Sequence, residues 1–145
     1  IYENKNYFIF NDSKSTNWSA TVIALRSFEQ PPVLIMGGRL RNENELLEDQ
    51  QLLQDISRLS KKIIAIGEAG STIEDYFSNK CEVIVRKDLS EVFKYIKKYL
   101  ITDDNELSEH ILFSPGYPSF DCYKNYMERG QHFTELVGQL EATLK

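Results

Sequence analysis

Five short apolar runs, at residues 7–10, 33–36, 63–66, 83–85 and 111–113, are each followed by a stretch with helical spacing. No other feature narrows the possible folds of this chain as far. The runs are rich in β-branched and aromatic residues and lack strict polar alternation, as strands covered on both faces do. Between them, Trp18, Val22 and Leu25 mark one helical face, and Leu46, Leu53 and Ile56 a second. The clearest stripe is Leu89, Val92, Phe93, Ile96 and Leu100, opened by the cap-like Asp88-Leu89-Ser90-Glu91. A last helix is expected from about residue 121, with Tyr126, Gly130, Phe133, Val137, Leu140 and Leu144 facing inward. This alternation predicts an α/β fold: a Rossmann-like, mainly parallel sheet of about six strands with helices on both faces. Residues 1–6 are expected to add a short antiparallel strand, and residues 101–108, polar and acidic, a surface loop.

With 145 residues, 41% of them hydrophobic, residues 1–145 can bury one core and are expected to form one domain. The chain starts at Ile1 rather than Met and reads as a piece of a longer protein or a processed chain. Its 17 basic and 22 acidic residues leave a net charge of -5, which argues against nucleic acid as a partner. Lys94, Lys97 and Lys98 read as the solvated side of one helix. No apolar run nears the roughly 20 residues of a membrane span, so no membrane partner is expected. Cys81, Cys122, His110 and His132 lack the spacing of a metal or redox site. No metal site is expected, and reduced thiols suit a cytoplasmic location.

Three strand-to-helix loops carry more polar chemistry than a turn requires. They are Asn11-Asp12-Ser13-Lys14-Ser15-Thr16-Asn17, Gly37-Gly38-Arg39-Leu40-Arg41-Asn42 and Ser114-Pro115-Gly116-Tyr117-Pro118-Ser119-Phe120-Asp121. In a parallel sheet all three lie at one edge, where ligands bind. Lys14, Arg39 and Arg41, the hydroxyls of Ser13, Thr16 and Ser119, and amides at helix starts together suit a small anion. Each also has a plain reading. Asp12 or Ser15 can cap a helix, Gly37-Gly38 can be a tight turn, and Gly67-Glu68-Ala69-Gly70 a structural one. Arg129 can be a surface residue or a brace between loops. The chain has no GxxxxGK[ST] loop, nucleophile elbow or Ser-His-Asp set. It can position a substrate for chemistry completed elsewhere.

Taken together, the three loops resemble the C-terminal domain of the Mur ligase family, in its D-glutamate-adding branch. That branch shows Asn-Asp-Ser-Lys-Ala-Thr-Asn, Gly-Gly-x-Asp-Lys-Gly, and Ser-Pro-Ala-x-Ala-Ser-x-Asp-x-Phe-x-x-Phe-x-x-Arg-Gly. Here Ser114-Pro115, Ser119-Phe120-Asp121, Tyr123, Tyr126 and Glu128-Arg129-Gly130 follow the third motif in order. The resemblance covers essentially the whole chain. It implies residues 1–145 as an amino-acid-binding domain, with UDP-binding and central ATPase domains outside this chain. ATP with Mg2+, bound mainly by the central domain, would convert the carboxylate of UDP-N-acetylmuramoyl-L-alanine into an acyl phosphate. The amine of D-glutamate would then attack it, in peptidoglycan precursor synthesis. The chain alone is expected to be inactive. The resemblance places Asn11, Asp12 and Lys14 on the nucleotide side, with Lys14 as the catalytic group. It gives D-glutamate to Thr16, Arg41, Ser119, Phe120 and Tyr126, with Arg39 as the alternative to Arg41. Other Mur or folylpolyglutamate-type ligases show Asp-Tyr-Ala-His or Asp-Gly-Ala-His after the first strand, where this chain has Asp12-Ser13-Lys14. The remaining alternative is a non-catalytic module that binds a nucleotide or an anion.

Overall fold

The computed structural model describes residues 2–3, 7–39 and 50–144. Its sheet contains β1 (Tyr2–Glu3), β2 (Phe8–Asn11), β3 (Val33–Gly37), β4 (Lys62–Ile66), β5 (Val83–Arg86) and β6 (Ile111–Phe113), in the order β1-β2-β6-β3-β4-β5. The five strands β2 to β6 pair in parallel, and the two-residue β1 pairs antiparallel with β2. The last strand of the chain is therefore central. Ile111 pairs with Ile9 on one side and Val33 on the other.

Among the described residues, five helices cover this sheet: α1 (Trp18–Leu25), α2 (Gln50–Leu59), α3 (Gly70–Phe77), α4 (Leu89–Tyr99) and α5 (Tyr126–Glu141). Period-two strand geometry sends successive side chains to opposite faces. Val33 and Ile35 join the layer under α4 and α5, with Leu89, Val92, Ile96 and Phe133. Leu34 and Met36 join the layer under α1, α2 and α3, with Val22, Leu25, Ile56 and Phe77. Covering on both faces explains why the strands read as unbroken apolar runs. All five residues of the Leu89–Leu100 stripe are buried, and Asp88 caps α4 by accepting from the Glu91 N–H at 3.0 Å. Leu46 lies outside the described residues. Among those described, no helix is long and apolar enough to cross a membrane.

Two expectations require correction. The acidic stretch after α4 is not only a surface loop: Ile101 and Leu107 bridge antiparallel, and Leu107 is buried under the exposed residues between them. The last helix begins at Tyr126, not near residue 121. The Asn125 side chain accepts from the Glu128 N–H at 2.8 Å and sets the start there. Ahead of it, the Ser119 carbonyl accepts from the N–H groups of Cys122 (3.2 Å) and Tyr123 (2.9 Å), closing a separate turn. Tyr126 consequently sits at an uncovered helix end and is exposed, while Phe133 and Leu140 occupy the core. The buried residue of that first stretch is Arg129.

Candidate functional site

Parallel strands deliver their following loops to one edge, and hydrogen bonds join those loops there. After β2 the chain turns at once. The Asp12 N–H donates to the Phe113 carbonyl at 2.7 Å, and the Ser13 N–H to the Asn11 side-chain oxygen at 3.2 Å. The Asp12 carboxylate accepts from the hydroxyls of Ser15 and Ser114, the latter at 2.8 Å. It therefore ties the first loop to the third. Asn17, not Asp12 or Ser15, caps α1, accepting from the Ala20 N–H at 2.9 Å. From inside α1, the Thr21 hydroxyl donates to the Ser114 carbonyl at 3.2 Å. Nothing in the sequence marks Thr21 for this contact, because its partner is a backbone oxygen.

The third loop also holds the second. The Gly37 N–H donates to the Pro115 carbonyl (2.9 Å) and the Arg39 N–H to the Pro118 carbonyl (2.8 Å). Gly38 adopts φ +147°, and a Cβ there would lie 2.3 Å from the Pro118 oxygen. Only glycine lets the two backbones approach so closely. The β4–α3 turn, Gly67-Glu68-Ala69-Gly70, is closed from within. The Asp121 carboxylate accepts from the Glu68 N–H at 3.2 Å, so an internal anion already occupies that position. Gly38, Gly67, Lys87, Asp88, Asp121 and Tyr123 line a narrow cleft beside it.

Arg129, left open in the sequence as surface residue or brace, is a brace. It is 1% exposed. Its Nε donates to the Ser13 hydroxyl at 3.1 Å, Nη2 to the Ser13 carbonyl at 2.8 Å and Nη1 to the Tyr117 carbonyl at 2.8 Å. Its guanidinium lies 5.9 Å from the centre of the Phe113 ring. All three hydrogen-bond partners are uncharged oxygens. Burial pushes its pKa down to about 10, while nearby Asp121 acts in the opposite direction. A planar fork with donors in several directions suits this place, and a lysine ammonium does not.

The predicted residues fall into three groups. Asn11 and Asp12 are engaged inside the fold: the Asn11 amide donates to the Gly130 carbonyl at 2.9 Å and to the Thr134 hydroxyl at 3.1 Å. Lys14 is exposed, Thr16 is half-buried on the same loop, and Phe120 and Tyr126 are exposed beside the third loop. Ser119 is 1% exposed, and among the described residues neither its hydroxyl nor the Phe120 N–H has a hydrogen-bond partner. Arg41 lies outside the described residues. Arg39 is exposed, with its backbone bonded to Pro118, next to Ser119. The N–H groups at the start of α5 do not serve Ser119, because α5 begins seven residues later under its own Asn125 cap. The edge thus offers a buried hydroxyl and a backbone N–H on a loop held from two sides, with Lys14 and Arg39 on the loops that hold it. Such a set can bind a carboxylate.

No family model matches the chain. Individual proteins do. It is 31% identical over 140 residues to the UDP-N-acetylmuramoylalanine--D-glutamate ligase of Prochlorococcus marinus (strain MIT 9515), covering 94% of this chain and 28% of that protein. It is 35% identical over 133 residues to the ligase of the same name from Petrotoga mobilis, covering 91% of this chain and 28% of that protein. With the one from Clostridioides difficile it is 31% identical over 138 residues, covering 94% of this chain and 29% of that protein. The chain therefore spans less than a third of the length of these relatives.

Proposed function

We propose that the chain, which is similar over 91–94% of its length to one segment of UDP-N-acetylmuramoylalanine--D-glutamate ligases, is the amino-acid-binding C-terminal domain of such a ligase. It would bind D-glutamate and present its amine to an activated carboxyl of UDP-N-acetylmuramoyl-L-alanine, in the cytoplasm. The UDP-binding and ATPase domains of the same ligase would complete the reaction. The observation that supports this most is Ser119, a buried residue whose hydroxyl has no hydrogen-bond partner among the described residues, on a loop fastened to both neighbours.

D-Glutamate is a dicarboxylate and needs an anion holder at each end. Ser119 and the Phe120 N–H would take one carboxylate. A guanidinium of the second loop, Arg41 or Arg39, would clasp the other with two parallel bonds. Thr16 and Tyr126 would flank the amino acid. Holding an amine in line with an acyl carbon can supply roughly 7–11 kcal/mol of the barrier.

The nucleotide finds only part of a site in this chain. The side chains of Asn11 and Asp12 are engaged within the fold, whereas Lys14 is exposed and able to meet a phosphate oxygen. ATP, when bound, supplies the phosphoryl group that activates the carboxyl, and Lys14 would offset its negative charge. Mg2+ would be held mainly by the central domain, as the resemblance implies.

The test is phosphate release by the full ligase polypeptide carrying this chain, with UDP-N-acetylmuramoyl-L-alanine and a panel of amino acids. D-Glutamate is expected to give the highest kcat/KM. Ser119→Ala removes a hydrogen bond to a charged group, worth about 1.5–3 kcal/mol, and should raise the KM for D-glutamate roughly 10- to 100-fold with that for ATP unchanged. Preference for another amino acid, or equal rises in both KM values, contradicts the assignment.

A further inference from the structure

In the reading above, the two long loops serve different ligands: Lys14 meets the nucleotide and Ser119 the amino acid. Ser13, next to Lys14, and Tyr117, two positions before Ser119, are both held by Arg129. We infer that Arg129 is a positioning residue that fixes the separation of Lys14 from Ser119, so that the two half-sites move as one body. The inference rests on the proposed roles of those two loops.

Three observations carry it. First, the contacts are to backbone carbonyls and one hydroxyl, so they fix the paths of both loops rather than neutralise a charge. Second, the Ser13 hydroxyl also donates to the Tyr126 carbonyl at 2.9 Å, and a Cβ on Gly130 would lie 3.1 Å from that of Ser13. The start of α5 is thus packed onto the same point. Third, a guanidinium almost wholly removed from water carries a desolvation penalty of several kcal/mol. An apolar side chain would fill the space without it, as Phe113 and Phe133 do alongside. What the arginine adds is three directed bonds across two loops.

Two other bonds join these two loops. They are the Ser114 hydroxyl on Asp12 at 2.8 Å and the Gly116 N–H on the Ser15 carbonyl at 2.9 Å. Arg129 adds a third link, through Ser13 beside Lys14 and Tyr117 two positions before Ser119.

The experiment uses the full ligase polypeptide with Arg129→Ala, Arg129→Lys and Ser13→Ala, measured by steady-state kinetics and by backbone hydrogen exchange. Arg129→Ala should raise the KM for D-glutamate and for ATP together, each by roughly tenfold or more, unlike Ser119→Ala. Added methylguanidinium should restore both in parallel, and Arg129→Lys should restore neither fully. Exchange at the Ser15 and Gly116 N–H groups should quicken together. Ser13→Ala keeps the Ser13 carbonyl and should give a smaller paired effect, which decides the matter if Arg129→Ala does not fold. A rise in one KM alone, rescue of one alone, or faster exchange in one loop alone overturns the inference. If no amino acid drives phosphate release, the proposed function fails, and the exchange measurement still decides the coupling.

Discussion

Tyr123 and His132 meet beside the site, the phenol oxygen 2.5 Å from Nδ1. Burial pushes the Tyr123 phenol up to about 12, with Cys122, Asp88 and Asp121 adding to the shift and Arg129 opposing it. The folded chain therefore keeps a proton that the unfolded chain loses near pH 10, the ordinary tyrosine value. Its contribution to stability is complete below about pH 10 and is lost as the pH rises toward 12. Tyr123→Phe should flatten this part of an alkaline stability profile, measured by denaturant midpoints across that range. An unchanged slope would show that the phenol titrates normally. At this scale the sequence was a partial guide. The residue types of the loops were readable because carboxylate, ammonium and hydroxyl groups announce their chemistry. The sequence leaves the role of Arg129 open, because two of its three partners are main-chain oxygens, of Ser13 and Tyr117, which no residue type marks. The engagement of Asn11 with Gly130 was hidden for the same reason.

Among the elements, the strands and α4 were legible because their signals are local: apolar runs in one case, a capped stripe in the other. The start of α5 was not. A Tyr126-Gly130-Phe133 spacing reads as one inward face, but inward has meaning only where something covers the helix, and Tyr126 projects beyond that cover. The turn closed on Ser119 then carries the chain from the third loop to Asn125. The second loop shows how element and site depend on each other. Gly38→Ala would force a Cβ to within 2.3 Å of the Pro118 oxygen and 3.1 Å of Arg129 Nη1, at a φ that side chains rarely adopt. The substitution should lower stability by about 1–3 kcal/mol, read from the denaturation midpoint. It should also loosen the bond from the Arg39 N–H that holds the Ser119 loop. A neutral result would mean that the backbone can open there without loss.

The whole molecule is one sheet, with a core layer on each face and its polar loops at one edge. The alternation of strands and helices foretold the layers. It could not give the order β2-β6-β3, which depends on pairing between segments about a hundred residues apart. The edge presents hydroxyls, cations and backbone donors, and the sequence has no GxxxxGK[ST] motif. The isolated chain should therefore fold yet show neither ATP hydrolysis nor amide formation above background. Both should appear only in the full ligase polypeptide, and turnover by the chain alone would place the catalytic machinery within these residues. The position of β6 has a kinetic consequence. β2 and β3 have no partner in each other and must wait for β6, the last of these six strands in chain order. Such non-local pairing raises contact order and makes closure of the sheet late and cooperative. The bond from the Ser114 hydroxyl to Asp12 spans 102 positions and forms only in that last step. A chain emerging from the ribosome thus has no half-built binding edge to expose: the site and the completed sheet appear together.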